Sequence, residues 1–486
     1  MRWTVEEVAR ALGVAPPRGV DPLARLAGVS INSRTMARGE LFVAIHGPRH
    51  DGHNFVVAAV DAGAVAGVVA EDRVSGYAEP YRSKLLAVPD TLAALQDLAR
   101  SVRTRWGQRL AAVTGSAGKT TTKEILAALL AARFRVLKSE GNLNNEYGLP
   151  LQLLRLDDAD EAAVVELGMS HAGELKRLAE IARPDVGVVT RVAPVHLEFF
   201  ASVEEIALAK RELIEGLAGR ESVSVLNADD PLVARFAEVA PGRVLTFGVD
   251  KRADFHAENI QDRGLNGSEF DFLSPEGRAR LSVPLAGRHN ISNALAALAA
   301  ASVWGVGGEE AREIFPKLEA TGMRGRVLHY EAGFTVINDC YNSNPVALRA
   351  MVELLTSTPA AGRHILAAGE MLELGPASAE LHREAGRVAG ATGELEWIIG
   401  VQGDAENFIR GAVEAGHPAA KAKFCASSAE AGPFLGDLIE RGDVLLVKGS
   451  RGVKMERIVE ALDSRFARAQ TEPAASVPGG MTRERA

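Results

Sequence analysis

Cysteine is nearly absent from this chain: Cys340 and Cys425 are the only two in 486 residues. They offer neither a disulfide framework nor a metal-binding spacing, which suits a reducing compartment. Positive charge is also in deficit. The formal net charge of −8 argues against non-specific nucleic-acid binding, which needs a basic surface. Long apolar runs are missing as well, so no bilayer span is expected. The N-terminus, Met1-Arg2-Trp3-Thr4-Val5-Glu6-Glu7, has no apolar core of the kind a secretory signal carries. These absences point to a cytoplasmic enzyme acting on small molecules, with no nucleic-acid or membrane partner. Hydrophobic content of 47% and charged content of 24% are those of a globular protein. The length calls for two to four domains.

What the chain does have is a phosphate cradle. Residues 111–122 read Ala-Ala-Val-Thr-Gly-Ser-Ala-Gly-Lys-Thr-Thr-Thr. A short apolar run leads into a glycine loop, and Ile125, Leu126, Leu129 and Leu130 then repeat as one helical face. Strand, glycine loop and helix start in that order aim backbone N–H groups and the positive helix end at an anion. Gly115, Ser116, Ala117, Gly118, Lys119, Thr120 and Thr121 are the candidate nucleotide contacts. Lys119 would neutralise phosphate oxygens and the Thr120 hydroxyl would reach a magnesium ion. The common P-loop spacing would place a glycine at 113, where Val113 stands; the loop is a tighter form.

The fold class expected is α/β with three domains. Residues 1–105 form a small α/β domain, with a strand in Gly39–Ile45, a turn at His50–His53, a helical pattern over Phe55–Ala62 and an apolar run over Ala66–Ala70. Arg105-Trp106-Gly107 marks a boundary. Residues 106–322 alternate strand candidates (Ala111–Val113, Ala162–Val165, Val186–Val189, Val223–Leu226) with helical patterns, predicting a parallel sheet covered on both faces. An antiparallel edge is expected over 252–286, before an alanine-rich helix over 291–304. Residues 323–466 repeat the alternation as a Rossmann-like doubly wound domain. Its strands are expected at Phe334–Ile337, Ile365–Ala367, Trp397–Ile399, Lys423–Cys425 and Val444–Val447, with helices over Pro345–Leu355 and Ala405–Ala415. Residues 467–486 lack periodicity and read as a disordered tail.

Several polar residues stand at strand ends. Glu166 follows Ala162–Val165, where a carboxylate beside a phosphate loop can hold magnesium. His196 lies in a loop past another strand. Asn142, Asn144 and Asn145 follow the phosphate-loop helix; such clusters usually mark turns, and they could equally line a polar channel. Asn290 precedes the alanine-rich helix, as an N-cap or a base contact. From its spacing alone Lys210 reads as a solvated surface lysine.

Together these segments resemble the ATP-dependent peptidoglycan amino-acid ligases (Mur ligases), to which folylpolyglutamate synthases are related. The matching pieces are the Thr114–Thr122 loop, Glu166, Ala193–Glu198, Lys210, Gly287–Asn290, Arg324-Gly325-Arg326, the box Asn338–Pro345 and Lys448–Arg451. They cover about residues 28–462. Ser33-Arg34 with Gly39–Ala44 and Asp51–Phe55 resemble the N-terminal uridine-nucleotide domain of the family's two late-acting members, Gly141–Pro150 resembles the version in the last-acting one, and the Asp-Asn-Pro-Arg box of the third-residue-adding enzyme is missing.

The resemblance implies an ADP-forming ligase of cell-wall synthesis. ATP would phosphorylate UDP-N-acetylmuramoyl-tripeptide, and D-alanyl-D-alanine would attack the acyl phosphate. It implies Lys119 on the γ-phosphate, Thr120 and Glu166 on one magnesium and His196 on a second, with Lys210 as a carbamylated lysine. Lys119, Lys210 and His196 would be catalytic. Asn290 would meet adenine, and Arg326 and Asp339 would reach the nucleotide from the C-terminal domain. Asn142 and Asn145 would face the substrate phosphate, and Ser33, Arg34 and Asp51 the uridine nucleotide. Tyr341, Asn344, Lys448 and Ser450 are further substrate contacts, and a monomer is expected. A third-residue-adding ligase, a folylpolyglutamate synthase and a nucleotide-binding switch protein remain as alternatives.

Overall fold

The computed structural model describes residues 3–47 and 50–469. The chain divides into two compact units, the first ending at Glu319 and the second starting at Ala320.

The first unit holds two sheets. Four short parallel strands, Val29–Ser30, Leu41–Val43, Ala66–Ala70 and Leu85–Val88, lie side by side in chain order. The helix Thr91–Trp106 follows. Asp90 starts it by accepting the Leu92 and Ala93 N–H groups, and Gly107 ends it in the left-handed conformation. Its buried residues Leu95, Leu98, Val102 and Trp106 belong to an apolar cluster that runs without a break from Trp3 to Phe236. Arg103 donates to the Ala182 carbonyl at 2.8 Å and Trp106 to that of Asp160 at 2.9 Å. One apolar cluster thus crosses the boundary expected at Trp106, while a smaller one, from Phe42 to Leu85, lies wholly before it.

The second sheet has nine strands. Arg109–Thr114 lies at its centre, between Ala162–Glu166 on one side and Val186–Val189 on the other, all three parallel. Because successive strands leave the central one in opposite directions, the chain reverses its winding there. The loops after these strands then diverge around a crevice at their carboxyl ends. Val223–Asn227 and Arg243–Gly248 extend the parallel part. Phe255–Asp262, Ser268–Ser274 and Gly277–Val283 form the antiparallel edge expected over 252–286. The helix Lys119–Leu130 buries Ile125, Leu126, Leu129 and Leu130, as its periodicity predicts. The alanine-rich helix His289–Ser302 is buried along most of its length.

The second unit is a six-stranded sheet. Its order is Arg326–His329, Thr335–Asp339, Val444–Lys448, His364–Gly369, Leu395–Val401 and Ala422–Cys425. The first pair is antiparallel and the rest parallel, the doubly wound pattern expected. Residues 467–469, placed at the start of the tail by sequence, run beside the first strand: Glu331 donates to the Ala467 carbonyl and Ala469 to that of His329. The remainder of the tail, 470–486, lies outside the described residues.

Candidate active site

The phosphate loop depends on two glycines. Gly115 has φ +147° and Gly118 φ +85°. A Cβ on Gly115 would stand 2.0 Å from the Thr190 Oγ1, and one on Gly118 would stand 2.3 Å from the Asn293 Oδ1. Both positions therefore exclude a side chain by backbone angle and by space. Gly118 is the residue from which the helix Lys119–Leu130 starts, leaving the unpaired N–H groups of the first turn facing the loop.

The side chains converge at this edge. The Thr120 hydroxyl donates to Glu166 Oε2 at 2.5 Å, and Asn144 Nδ2 donates to Glu166 Oε1 at 2.8 Å. The Glu166 N–H donates to Ser139 Oγ at 3.0 Å, which fixes the end of its strand. Lys119 Nζ donates to the Gly115 carbonyl at 2.7 Å, folding back over the loop that it follows. The facing loop carries His196, half-buried and in the left-handed region at φ +56°. Histidine, with asparagine and aspartate, is one of the side-chain residues enriched in that conformation.

Lys210 corrects its spacing-based reading. It lies on the helix Val203–Glu215 and is buried at 2% exposure rather than solvated. Burial, with repulsion from the Lys119 ammonium, pushes its pKa well below the usual lysine value. Burial and the neighbouring cation thus raise the share of its neutral, nucleophilic form.

The asparagines separate by role. Asn144 reaches Glu166. Asn145 instead accepts the Tyr147 and Gly148 N–H groups at the start of the helix Gly148–Leu153, and Asn142 is exposed. Asn290 is buried, donating to the Ala286 carbonyl at 2.8 Å and accepting from Asn293 Nδ2 at 2.9 Å. Asn293 in turn lies against Gly118, so this pair braces the loop. In the four-stranded sheet, Ser33 and Arg34 follow the strand Val29–Ser30. Asp51 is taken up by its own turn: it accepts from the His53 N–H at 3.0 Å and lies 2.6 Å from His53 Nδ1.

In the C-terminal unit, residues from three neighbouring strand ends meet. Lys448, 3% exposed, donates to Asp339 Oδ2 at 2.5 Å and to the Asn342 carbonyl at 2.9 Å. Ser450 Oγ accepts the Leu372 N–H at 3.0 Å. Arg324 stacks over the Tyr341 ring at 4.0 Å. Arg326 is exposed at the first position of its strand. Asn344 accepts the Ala347 N–H at 2.8 Å as the cap of the helix Pro345–Ser357.

Asn227 and Asp230 escaped the sequence reading. Asn227 ends the strand Val223–Asn227, and Asp230 caps the short helix Pro231–Ala234. Aspartate before proline at a helix start was a readable cap signal. The loop that these residues also hold was not readable from it.

Residues 25–103 match the catalytic domain of the Mur ligase family, 113–301 the Mur ligase middle domain and 323–451 the Mur ligase glutamate ligase domain. The chain is 34% identical over 443 residues to a UDP-N-acetylmuramoyl-tripeptide–D-alanyl-D-alanine ligase of Bacillus subtilis, covering 90% of this chain and 93% of that protein. It is 35% identical to the Escherichia coli protein of the same name, covering 90% and 94%. Among solved structures, MurF from Acinetobacter baumannii superposes with a TM-score of 0.85 at 29% identity, covering 96% and 99% of the two chains. The MurF ligase from Thermotoga maritima, solved in complex with ADP, does so with a TM-score of 0.77 at 28% identity, covering 90% and 97%. With all three domains matched in order and relatives similar across most of their length, the chain belongs to the Mur ligase family.

Proposed function

We propose that this chain is an ATP-dependent, ADP-forming ligase that joins D-alanyl-D-alanine to UDP-N-acetylmuramoyl-tripeptide, acting in the cytoplasm as a monomer. The observation that carries the reading is the meeting of Thr120, Asn144 and Glu166 at the start of the phosphate-loop helix. It is supported by the relatives of that activity over nine-tenths of the chain.

The donor set fits magnesium. A hydroxyl and a carboxylate are hard oxygen ligands, and a magnesium ion takes one or two such groups together with substrate phosphates. Among the described residues no three His, Cys, Asp or Glu side chains cluster as a closed cage, consistent with a metal shared with nucleotide. Thr120 and Glu166 would hold one ion and His196 a second, and the metal would withdraw charge from the phosphates.

The residues then divide the work. Lys119 and the helix N–H groups neutralise the γ-phosphate while a tripeptide carboxylate oxygen attacks phosphorus and ADP leaves. The amine of D-alanyl-D-alanine next attacks the acyl carbon, loses a proton, and the C–O bond to phosphate breaks. Lys210 in its neutral form can add CO₂ through its lone pair and release a proton. A carbamate there would reverse the local charge and would offer an oxygen ligand where an ammonium would repel metal.

Phosphate release from ATP tests the reading, with the tripeptide nucleotide fixed and the amine varied among D-alanyl-D-alanine, L-lysine, diaminopimelate and glutamate. Release with the dipeptide alone is expected. Release with a different amine overturns the substrate assignment, and hydrolysis indifferent to both substrates overturns the ligase assignment.

A further inference from the structure

A chain of hydrogen bonds ties the phosphate loop to the loop that carries His196. The loop of residues 190–196 is fastened to the phosphate loop along its front. The Ser116 N–H donates to the Arg191 carbonyl at 2.6 Å, the Ala193 N–H to Ser116 Oγ at 2.9 Å, and Thr190 Oγ1 to the Ala117 carbonyl at 2.6 Å. The rear of the same loop is held by two buried side chains. The Val192 N–H donates to Asp230 Oδ2 at 2.8 Å, and Asn227 Nδ2 donates to the Thr190 carbonyl at 2.7 Å.

Each of these side chains has a local duty that only one of its two polar atoms fulfils. Asp230 Oδ1 caps its own helix through the Leu232 and Val233 N–H groups, at 3.0 and 3.2 Å. Asparagine caps helices as well as aspartate does, so the cap by itself does not require a second acceptor oxygen. Asn227 Oδ1 likewise accepts the Asp229 N–H at 2.9 Å, a turn that aspartate would also make. The leftover acceptor of Asp230 and the leftover donor of Asn227 both go to the 190–196 loop. We propose that Asp230 and Asn227 are positioning residues that set the distance between the His196 loop and the phosphate loop. The proposal rests on the reading that the phosphate loop holds ATP.

Two near-isosteric substitutions separate this role from helix capping. Asp230→Asn keeps an acceptor for the two cap donors and turns an NH₂ group toward the Val192 N–H. Asn227→Asp keeps the turn and places an acceptor against the Thr190 carbonyl. Hydrogen exchange of residues 188–196, ADP affinity by calorimetry and the KM and kcat of ligation are read for both variants. Exchange in that segment is expected to rise about tenfold or more, with exchange across residues 231–239 unchanged. ADP affinity and kcat are expected to fall about tenfold to a hundredfold, the scale of a misplacement near 1 Å, with KM for the amine unchanged.

Unaltered exchange over 188–196 in both variants overturns the proposal. So does a loosened loop with unsubstituted ADP affinity and kcat. If Asp230→Asn does not fold, Asn227→Asp decides alone. Failure of the unsubstituted protein to bind ADP overturns the ATP reading instead, and it is distinguishable because it appears without any substitution.

Discussion

Asn144 and Asn145 are adjacent in sequence, yet one holds the Glu166 carboxylate and the other begins a helix. Asn144→Ala is therefore expected to lower kcat about tenfold, by removing a positioning bond at the reacting edge, with little change in unfolding temperature. Asn145→Ala is expected to cost about 1 kcal/mol of stability by removing the bonds to the Tyr147 and Gly148 N–H groups, with a smaller effect on kcat than Asn144→Ala. Steady-state kinetics beside thermal unfolding of the two variants check the contrast. Lys210 makes the same point about local reading. Helical spacing places it among solvated lysines, and only packing of its helix shows it buried. Lys210→Ala should abolish ligation without rescue by excess bicarbonate. The unsubstituted enzyme in CO₂-depleted buffer should lose activity and recover it when bicarbonate is added. Near-normal turnover of the variant removes Lys210 from the site.

At the scale of elements, strand ends and caps hold the site, and the C-terminal unit pairs a buried carboxylate with a half-buried guanidinium, giving a clear acid signature. Asp443, 1% exposed at its side chain, accepts from Arg363 Nη2 at 2.7 Å, from the Arg363 N–H at 2.9 Å and from the Glu440 N–H at 2.8 Å. Burial raises its pKa, but the bonds from Arg363 and the two backbone groups outweigh it, and the net shift is downward. A depressed carboxylate pKa contributes stability that is complete above the unfolded value, near pH 3.9, and is lost as pH falls through the folded value. Asp443→Ala is expected to destabilise the unit by about 3 kcal/mol at neutral pH, since the guanidinium loses its buried partner. Its stability should also change less than the parent's between about pH 5 and pH 2. Denaturant unfolding across that range measures both effects.

At the scale of the molecule, the first two sheets share their larger apolar cluster, the four-stranded sheet adding only a small one of its own, while the C-terminal sheet has a full core of its own. A unit with its own core folds alone. Residues 320–486 expressed separately should show a single cooperative thermal transition, whereas residues 1–105 alone should not, because helix Thr91–Trp106 would expose its buried face. Circular dichroism of the two fragments checks this.

The sequence by itself determined the parallel and antiparallel strands, the phosphate-loop helix and the family resemblance. These follow from short-range period and from loop residues read in order, which local sterics and burial on one face dictate. It also placed Glu166 at a strand end, where an open sheet puts its ligands. Only the tertiary structure decided which asparagine meets Glu166, that Lys210 is buried beside Lys119, and that Asn227 and Asp230 hold the His196 loop. Each of those contacts joins residues more than twenty positions apart. Their proximity is set by which strands the sheet makes neighbours, which no local pattern encodes.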